Sequence, residues 1–223
     1  MKIVSAHRKV MSILNITPDS FFAASRVEQG EAIRSRVEQM MREGADIIDI
    51  GGYSTRPGAA DVAPEEERQR VLLGAEEVRS VSPDVTISID TFRSEVAAAV
   101  LERFGNVIIN DISGGERDPR MAEVVAYHAA PMVVMHSRGT PRTMQSLTAY
   151  GDVVEEVRDH LARRADILRA QGVGEIILDP GIGFAKTEEQ NFALIASLER
   201  IASLGYPCLL YTSPSPRDAT LSR

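Results

Sequence analysis

A chain of 223 residues, 43% hydrophobic and 26% charged, holds enough apolar material for one sizeable α/β core. Its formal charge is −7 and its basic residues are scattered, so no positive stripe is present to neutralise nucleic-acid phosphates, although a local pocket of donors would suffice for a small anion. No apolar run approaches the roughly 20 residues that span a bilayer, and the sole cysteine, Cys208, permits no intrachain disulfide, which points to a reducing, cytoplasmic compartment.

The opening MKIVSAHRKVMSIL sets basic residues before a short apolar stretch but lacks a small-residue cleavage site, so a secretory signal is not expected. Thereafter short β-branched runs alternate with longer amphipathic segments. Strands are expected at Val10–Ile16, Asp46–Ile50, Val85–Ile89, Val107–Ile112, Pro131–His136, Glu175–Leu178 and Pro207–Tyr211. Helices are expected at about Glu28–Glu43, Pro64–Ser80, Ser94–Phe104, Pro119–His128, Tyr150–Gln171 and Glu188–Ser203. Pro64 followed by three acids suits the first turn of a helix. The strands read as apolar on both faces, as in a parallel sheet covered by helices.

A doubly wound sheet and a (β/α)₈ barrel both fit this alternation. The polar residues favour the barrel. Nearly every strand ends in groups suited to chemistry, namely Asn15, Gly51–Gly52, Asp90, Asn110–Asp111, His136 and Asp179, and a barrel gathers all its strand ends at one mouth. A doubly wound sheet would concentrate them at its switch point.

Taken in chain order, Asn15 offers an amide oxygen that suits Mg²⁺, while Asp19 reads best as a loop cap. Gly51-Gly52-Tyr53-Ser54-Thr55-Arg56-Pro57-Gly58 has the make-up of a phosphate-binding loop, with a polar turn as the plainer alternative. Asp90, Asn110 and Asp179 emerge from apolar strands at equivalent places. Shared recognition of one donor-rich ligand explains them better than three separate structural bonds. Met135 suits either the face of an aromatic ligand or the core. His136 reads as a hydrogen-bonded structural residue, and Lys186 as a group directed to an anion or to solvent. The four histidines show no metal-ligand spacing.

Six stretches, SILNITPDSF (12–21), DIIDIGGYSTRPGA (46–59), ISIDTFR (87–93), IINDISGG (108–115), MVVMH (132–136) and ILDPGIGFAKT (177–187), occur in an order and spacing that resemble the dihydropteroate synthases. Ser12 and Tyr53 are more similar to the fungal branch, where the synthase is commonly part of a fused polypeptide, so a mitochondrial location enters as an alternative. The resemblance implies a (β/α)₈ barrel that joins 6-hydroxymethyl-7,8-dihydropterin diphosphate to 4-aminobenzoate in folate biosynthesis, and that is a sulfonamide target. It implies Asn15 as the Mg²⁺-linked residue and Thr55 with Arg56 as phosphate contacts. Asp90, Asn110 and Asp179 would read the pterin edge and act in catalysis, and Met135 would pack on its ring. Phe21 and Pro57 would close over aminobenzoate. It also implies a homodimer in the full-length family.

The pattern stops after Leu210. Where the family continues with a Ser-Arg-Lys triplet, this chain reads Tyr211-Thr212-Ser213-Pro214-Ser215-Pro216-Arg217-Asp218. Residues 1–210 are therefore expected to form a barrel of about seven strands, incomplete, and 211–223 an unrelated tail, disordered or a sequence scar. Such a barrel would leave apolar edges uncovered, which predicts low stability and low activity. A methyltetrahydrofolate-binding methyltransferase and a non-catalytic pterin-binding remnant are the competing functions.

Overall fold

The structure is a computed structural model in which residues 8–16, 26–53, 61–140 and 143–210 are described. Of the sequence-derived site residues, Phe21, Thr55, Arg56 and Pro57 lie outside these, as do Asp19 and the segment 211–223.

Strands and helices alternate in chain order. β1 (Met11–Asn15) precedes α1 (Arg26–Arg42), β2 (Ile47–Gly51), α2 (Pro64–Val81), β3 (Thr86–Asp90) and α3 (Ser94–Phe104). β4 (Ile108–Asp111), α4 (Met121–Tyr127) and β5 (Pro131–Met135) follow, then a single 3₁₀ turn (Met144–Ser146), α5 (Val153–Ala170) and β6 (Glu175–Asp179). Two short helices, α6 (Glu188–Ala196) and α7 (Leu198–Ala202), complete the described elements. All strand pairs are parallel and the sheet order is β1-β2-β3-β4-β5-β6. That is the strand order of a (β/α) barrel, left open among the described residues, rather than of a doubly wound sheet, whose order reverses at a switch point.

Among the described residues the seventh expected strand contributes only a bridge. Leu178 N–H donates to Pro207 O at 2.8 Å and Leu209 N–H to Leu178 O at 2.8 Å, around the bridge Leu178↔Cys208. Residues 207–210 leave a tight turn at Gly205 (φ 81) and are too few, within the described range, for a longer ladder. The expected helix Glu188–Ser203 is likewise divided. Ser197 has φ −113 and ψ 21, outside the helical range, so α6 stops and α7 restarts.

Two apolar layers hold the sheet. Strand residues facing outward, such as Ile48, Ile50, Ile87, Ile89, Ile109 and Val134, pack with Ile33, Val37, Val71, Val78, Val100 and Leu161 from the helices. On the inner face Ile47, Ile108, Val133 and Ile177 form a smaller cluster against which Met11 and Leu209 pack. Each fully buried aliphatic side chain contributes about 1.5–3 kcal/mol, so the outer layer dominates stability while the inner one forms an apolar floor. Above that floor the inward positions turn polar. Asp49 and Ser88, in register with each other, are both buried.

Side chains two strands apart meet across this inner face. Asn110 Nδ2 on β4 donates to Asp49 Oδ2 on β2 at 3.1 Å. In a flat sheet those strands would stand roughly 10 Å apart with parallel side chains. The contact therefore marks an inward curl that brings the strand ends toward one another.

Candidate active site at the strand ends

The last inward position of each strand carries the site. Asn15 is in register with Gly51, Gly51 with Asp90, and Asp90 with Asn110, so four neighbouring strands place one residue each in a single row. On the other side Met135 and Asp179 are register partners. Asn15, Asp90, Asn110, Met135 and Asp179 thus all belong to the same carboxyl end of the sheet, as strand periodicity requires once the register is fixed.

Gly51 makes the crowding possible. A Cβ there would lie 3.0 Å from Asn15 Oδ1 and 3.7 Å from Asp90 Oδ2, so the missing side chain leaves room for two oxygens to approach the same point. Asp90 is held well above the usual carboxylate range, chiefly by burial and then by the charges of Asp49, Asp111 and Glu67. Asp49 is also raised by burial, against the opposing effects of Ser88 and Asn110. Asp179 Oδ1 accepts from Gly181 N–H at 2.7 Å, which leaves its second oxygen for another partner. Burial pushes Asp179 up to about 6 even so, with Gly181 N–H and Lys186 acting in the opposite direction.

The loop after β6 is built around Lys186. Its ammonium has three hydrogens, and three near acceptors surround it: Gly181 O at 2.8 Å, Phe184 O at 2.9 Å and His136 Nδ1 at 3.1 Å. Only 5% of Lys186 is exposed. It therefore points neither to solvent nor outward to an anion, in contrast to both sequence-based alternatives. Left-handed turns at Gly181 (φ 68), Gly183 (φ 85) and Ala185 (φ 50) fold the loop back on itself and carry the side chain inward. Burial lowers the Lys186 pKa to about 7, partly offset by Asp179. His136, read from the sequence as structural, is buried beside it and held neutral, its pKa lowered to about 2 by burial and by the charges of Lys186, His160 and Arg138. Met135, 4% exposed, adjoins it.

Other polar groups brace the rim. Asp111, buried, spends its carboxylate on the following turn, accepting from Ser113 N–H and Oγ (2.7 Å each) and from Gly115 N–H (2.9 Å). Glu67 on α2, fully buried, accepts from Thr91 Oγ1 at 2.6 Å and from Arg93, tying the helix start to the loop after β3. Tyr53 packs edge-on against Phe92, donates its hydroxyl to Asp61 at 3.1 Å and lies under the Arg93 guanidinium. Reading strands as apolar on both faces passed over Asp49 and Ser88. The signal was present as period two, because Asp49 shares parity with Gly51, and Ser88 with Asp90.

Among the described residues no group of three histidine, cysteine or carboxylate side chains could hold a metal ion. What the strand ends do offer a hard cation is the Asn15 amide oxygen with the Asp90 carboxylate beside it, both converging over Gly51. That donor set fits a cation held largely by its substrate rather than caged by protein. No helix among the described residues is long and apolar enough to cross a membrane.

Comparison with known proteins places this geometry in a family. The model of the family described as "Pterin binding enzyme" matches residues 11–215. A dihydropteroate synthase of Synechocystis is 46% identical over 203 residues, covering 90% of this chain and 70% of its own length. The folic acid synthesis protein fol1 of Schizosaccharomyces pombe is 45% identical over 194 residues, covering 86% of this chain and 26% of that longer polypeptide. Overall identity therefore does not separate the fungal branch from the bacterial one. Among solved structures, the Xanthomonas albilineans dihydropteroate synthase with 4-aminobenzoic acid aligns with a TM-score of 0.84 at 35% identity, covering 97% of this chain and 77% of that one. The chain belongs to the pterin binding enzyme family and, within it, to the dihydropteroate synthases.

Proposed function

We propose that the chain condenses 6-hydroxymethyl-7,8-dihydropterin diphosphate with 4-aminobenzoate, giving 7,8-dihydropteroate and diphosphate. The observation that carries this reading is the convergence of Asp90, Asn110 and Asp179 at one end of the sheet as a set of hydrogen-bond acceptors. A pterin ring presents an exocyclic amine and ring N–H groups on one edge, and carboxylate and carboxamide oxygens pair with such an edge. The Xanthomonas synthase, solved with 4-aminobenzoic acid, supports the second substrate.

Departure of diphosphate leaves positive charge on the pterin methylene. Asp90, half-buried, and Asp179, buried, stabilise that charge as it develops, since both are largely withdrawn from water and electrostatic interactions there are strong. Mg²⁺ would be held at Asn15 together with the diphosphate, and when bound would neutralise the departing anion. Thr55 and Arg56 would contact the same diphosphate, while Phe21 and Pro57 would border the aminobenzoate. No covalent enzyme intermediate is needed.

The test is chromatographic detection of dihydropteroate from both substrates with Mg²⁺, using the native chain and Asp90→Asn. Product from the native chain, reduced by about 100-fold or more in the variant, is the expected outcome. Equal turnover by both would remove Asp90 from the mechanism. A folded native chain that binds neither substrate would defeat the assignment.

A further inference from the structure

Asp49 has no part in the reaction just described, yet it stands in the middle of β2, 4% exposed, on the inner face of the sheet. Ile13 and Ser88 are its register partners on either side, and it lies two residues below Gly51. An acid in such a place costs several kcal/mol unless something compensates. Its compensation is unusual in origin. The Asn110 amide crosses over β3 to donate to Asp49 Oδ2 at 3.1 Å, whereas the other carboxylate oxygen has no hydrogen-bond partner among the described residues. The Ser88 hydroxyl is near enough to favour the charged form but makes no such bond itself.

A carboxamide has one donor end and one acceptor end, and nothing in its own shape decides which faces a ligand. A carboxylate accepts only. Asp49 therefore fixes Asn110 with Nδ2 turned down into the sheet, leaving Oδ1 as the end presented to the strand-end row with Asp90. We propose that Asp49 is a positioning residue for ligand selection: by holding the Asn110 carboxamide acceptor-outward, it makes the site take the donor-bearing edge of a pterin and reject rings with an acceptor there. This rests on the pterin reading of the site.

The experiment titrates two probes, 6-hydroxymethylpterin and 6-hydroxymethyllumazine, by fluorescence. In the second probe a carbonyl oxygen replaces the 2-amino donor. The proteins are the native chain, Asp49→Asn, and the reciprocal double variant Asp49→Asn/Asn110→Asp, each checked for folding by circular dichroism. The native chain is expected to favour the pterin by about 10-fold or more, since one buried polar group left unmatched costs that much. In Asp49→Asn the lower amide can donate as well as accept, Asn110 is free to turn over, and the preference should shrink several-fold. The double variant reverses the pair: the amide at position 49 donates upward to the carboxylate at position 110, whose other oxygen again faces the site as an acceptor, so the preference should return.

A native chain that binds both probes equally overturns the proposal without any variant. So does a folded Asp49→Asn that keeps the full preference, or a folded double variant that fails to regain it. If neither variant folds, Asp49→Ser, whose hydroxyl can also donate or accept, takes their place with the same shrinkage of preference expected, and absence of any binding by the native chain defeats the pterin reading together with this inference.

Discussion

Gly181 and Gly183 form an internal control for how tightly the loop after β6 is built. Both have positive φ, 68 and 85. An L-residue in that region costs about 1–2 kcal/mol from its own backbone clash, and Gly183→Ala should cost only this, because nothing lies within 4 Å of the added methyl. At Gly181 the same methyl would stand 2.0 Å from His136 O and 3.3 Å from Lys186 Nζ. The carbonyl cannot simply retreat, since His136 N–H is bonded to Asp179 O at 3.0 Å and Lys186 is packed among three acceptors. Relief requires breaking one of these bonds or moving the end of β5, so Gly181→Ala should cost more than about 4 kcal/mol. Urea unfolding of both variants at one pH measures the difference, expected to exceed about 2 kcal/mol. Pterin binding should fall only in Gly181→Ala, whose backbone N–H holds Asp179. Equal destabilisation of the two variants would refute the account of the loop as a rigid cradle.

Glu67→Ala leaves the Arg93 guanidinium and the Thr91 hydroxyl without their fully buried acceptor, and should lower stability by about 3–5 kcal/mol in the same assay. A loss under about 1 kcal/mol would show that α2 is held without this pair. For His136, the native pKa of about 2 lies below the unfolded value of 6.5, so the unfolded chain takes up a proton that the native state refuses. Stability from this residue is complete above pH 6.5 and is lost as pH falls. Between pH 7 and 5 the loss amounts to about 2 kcal/mol. Asp179, raised to about 6, works in the opposite direction, so the measurement is the difference between the native chain and His136→Asn. Parallel stability–pH curves would contradict the buried neutral histidine.

The elements were legible where pattern and punctuation agree. Helix Ser94–Phe104 matches its expected bounds, and α2 starts at Pro64 as the proline and three acids suggest. The strands end one residue later than the apolar runs in β2, β3 and β6, because Gly51, Asp90 and Asp179 still belong to the ladder. A polar residue at a strand end reads as loop until its register is known. The division at Ser197 had no such warning, as no glycine or proline marks it. Lys186 was unreadable for a different reason, since the direction of its side chain depends on three consecutive left-handed turns. Asp49 was hidden by the opposite error, an acid inside an apolar run taken for part of an ordinary covered strand.

What the sequence could not show is how the charges balance. Asp49, Asp111 and Asp179 are buried carboxyls and Asp90 is half-buried, and withdrawal from water is the first cause raising each of them. Lys186, the buried cation beside Asp179, gives its hydrogens to two loop carbonyls and a histidine rather than to any of these acids. Arg93 is committed to Glu67. Asp111 is satisfied by its own turn, and one oxygen of Asp49 by the Asn110 amide. Asp90 and one oxygen of Asp179 are left to accept from whatever enters. A ligand with a row of N–H donors lowers the cost of burying them, and positive charge developing on that ligand lowers it further. The acids are thus more favourable in the transition state than in the resting site, which is the condition for a binding arrangement to accelerate a reaction. Loss of diphosphate from a pterin methylene supplies charge of that sign.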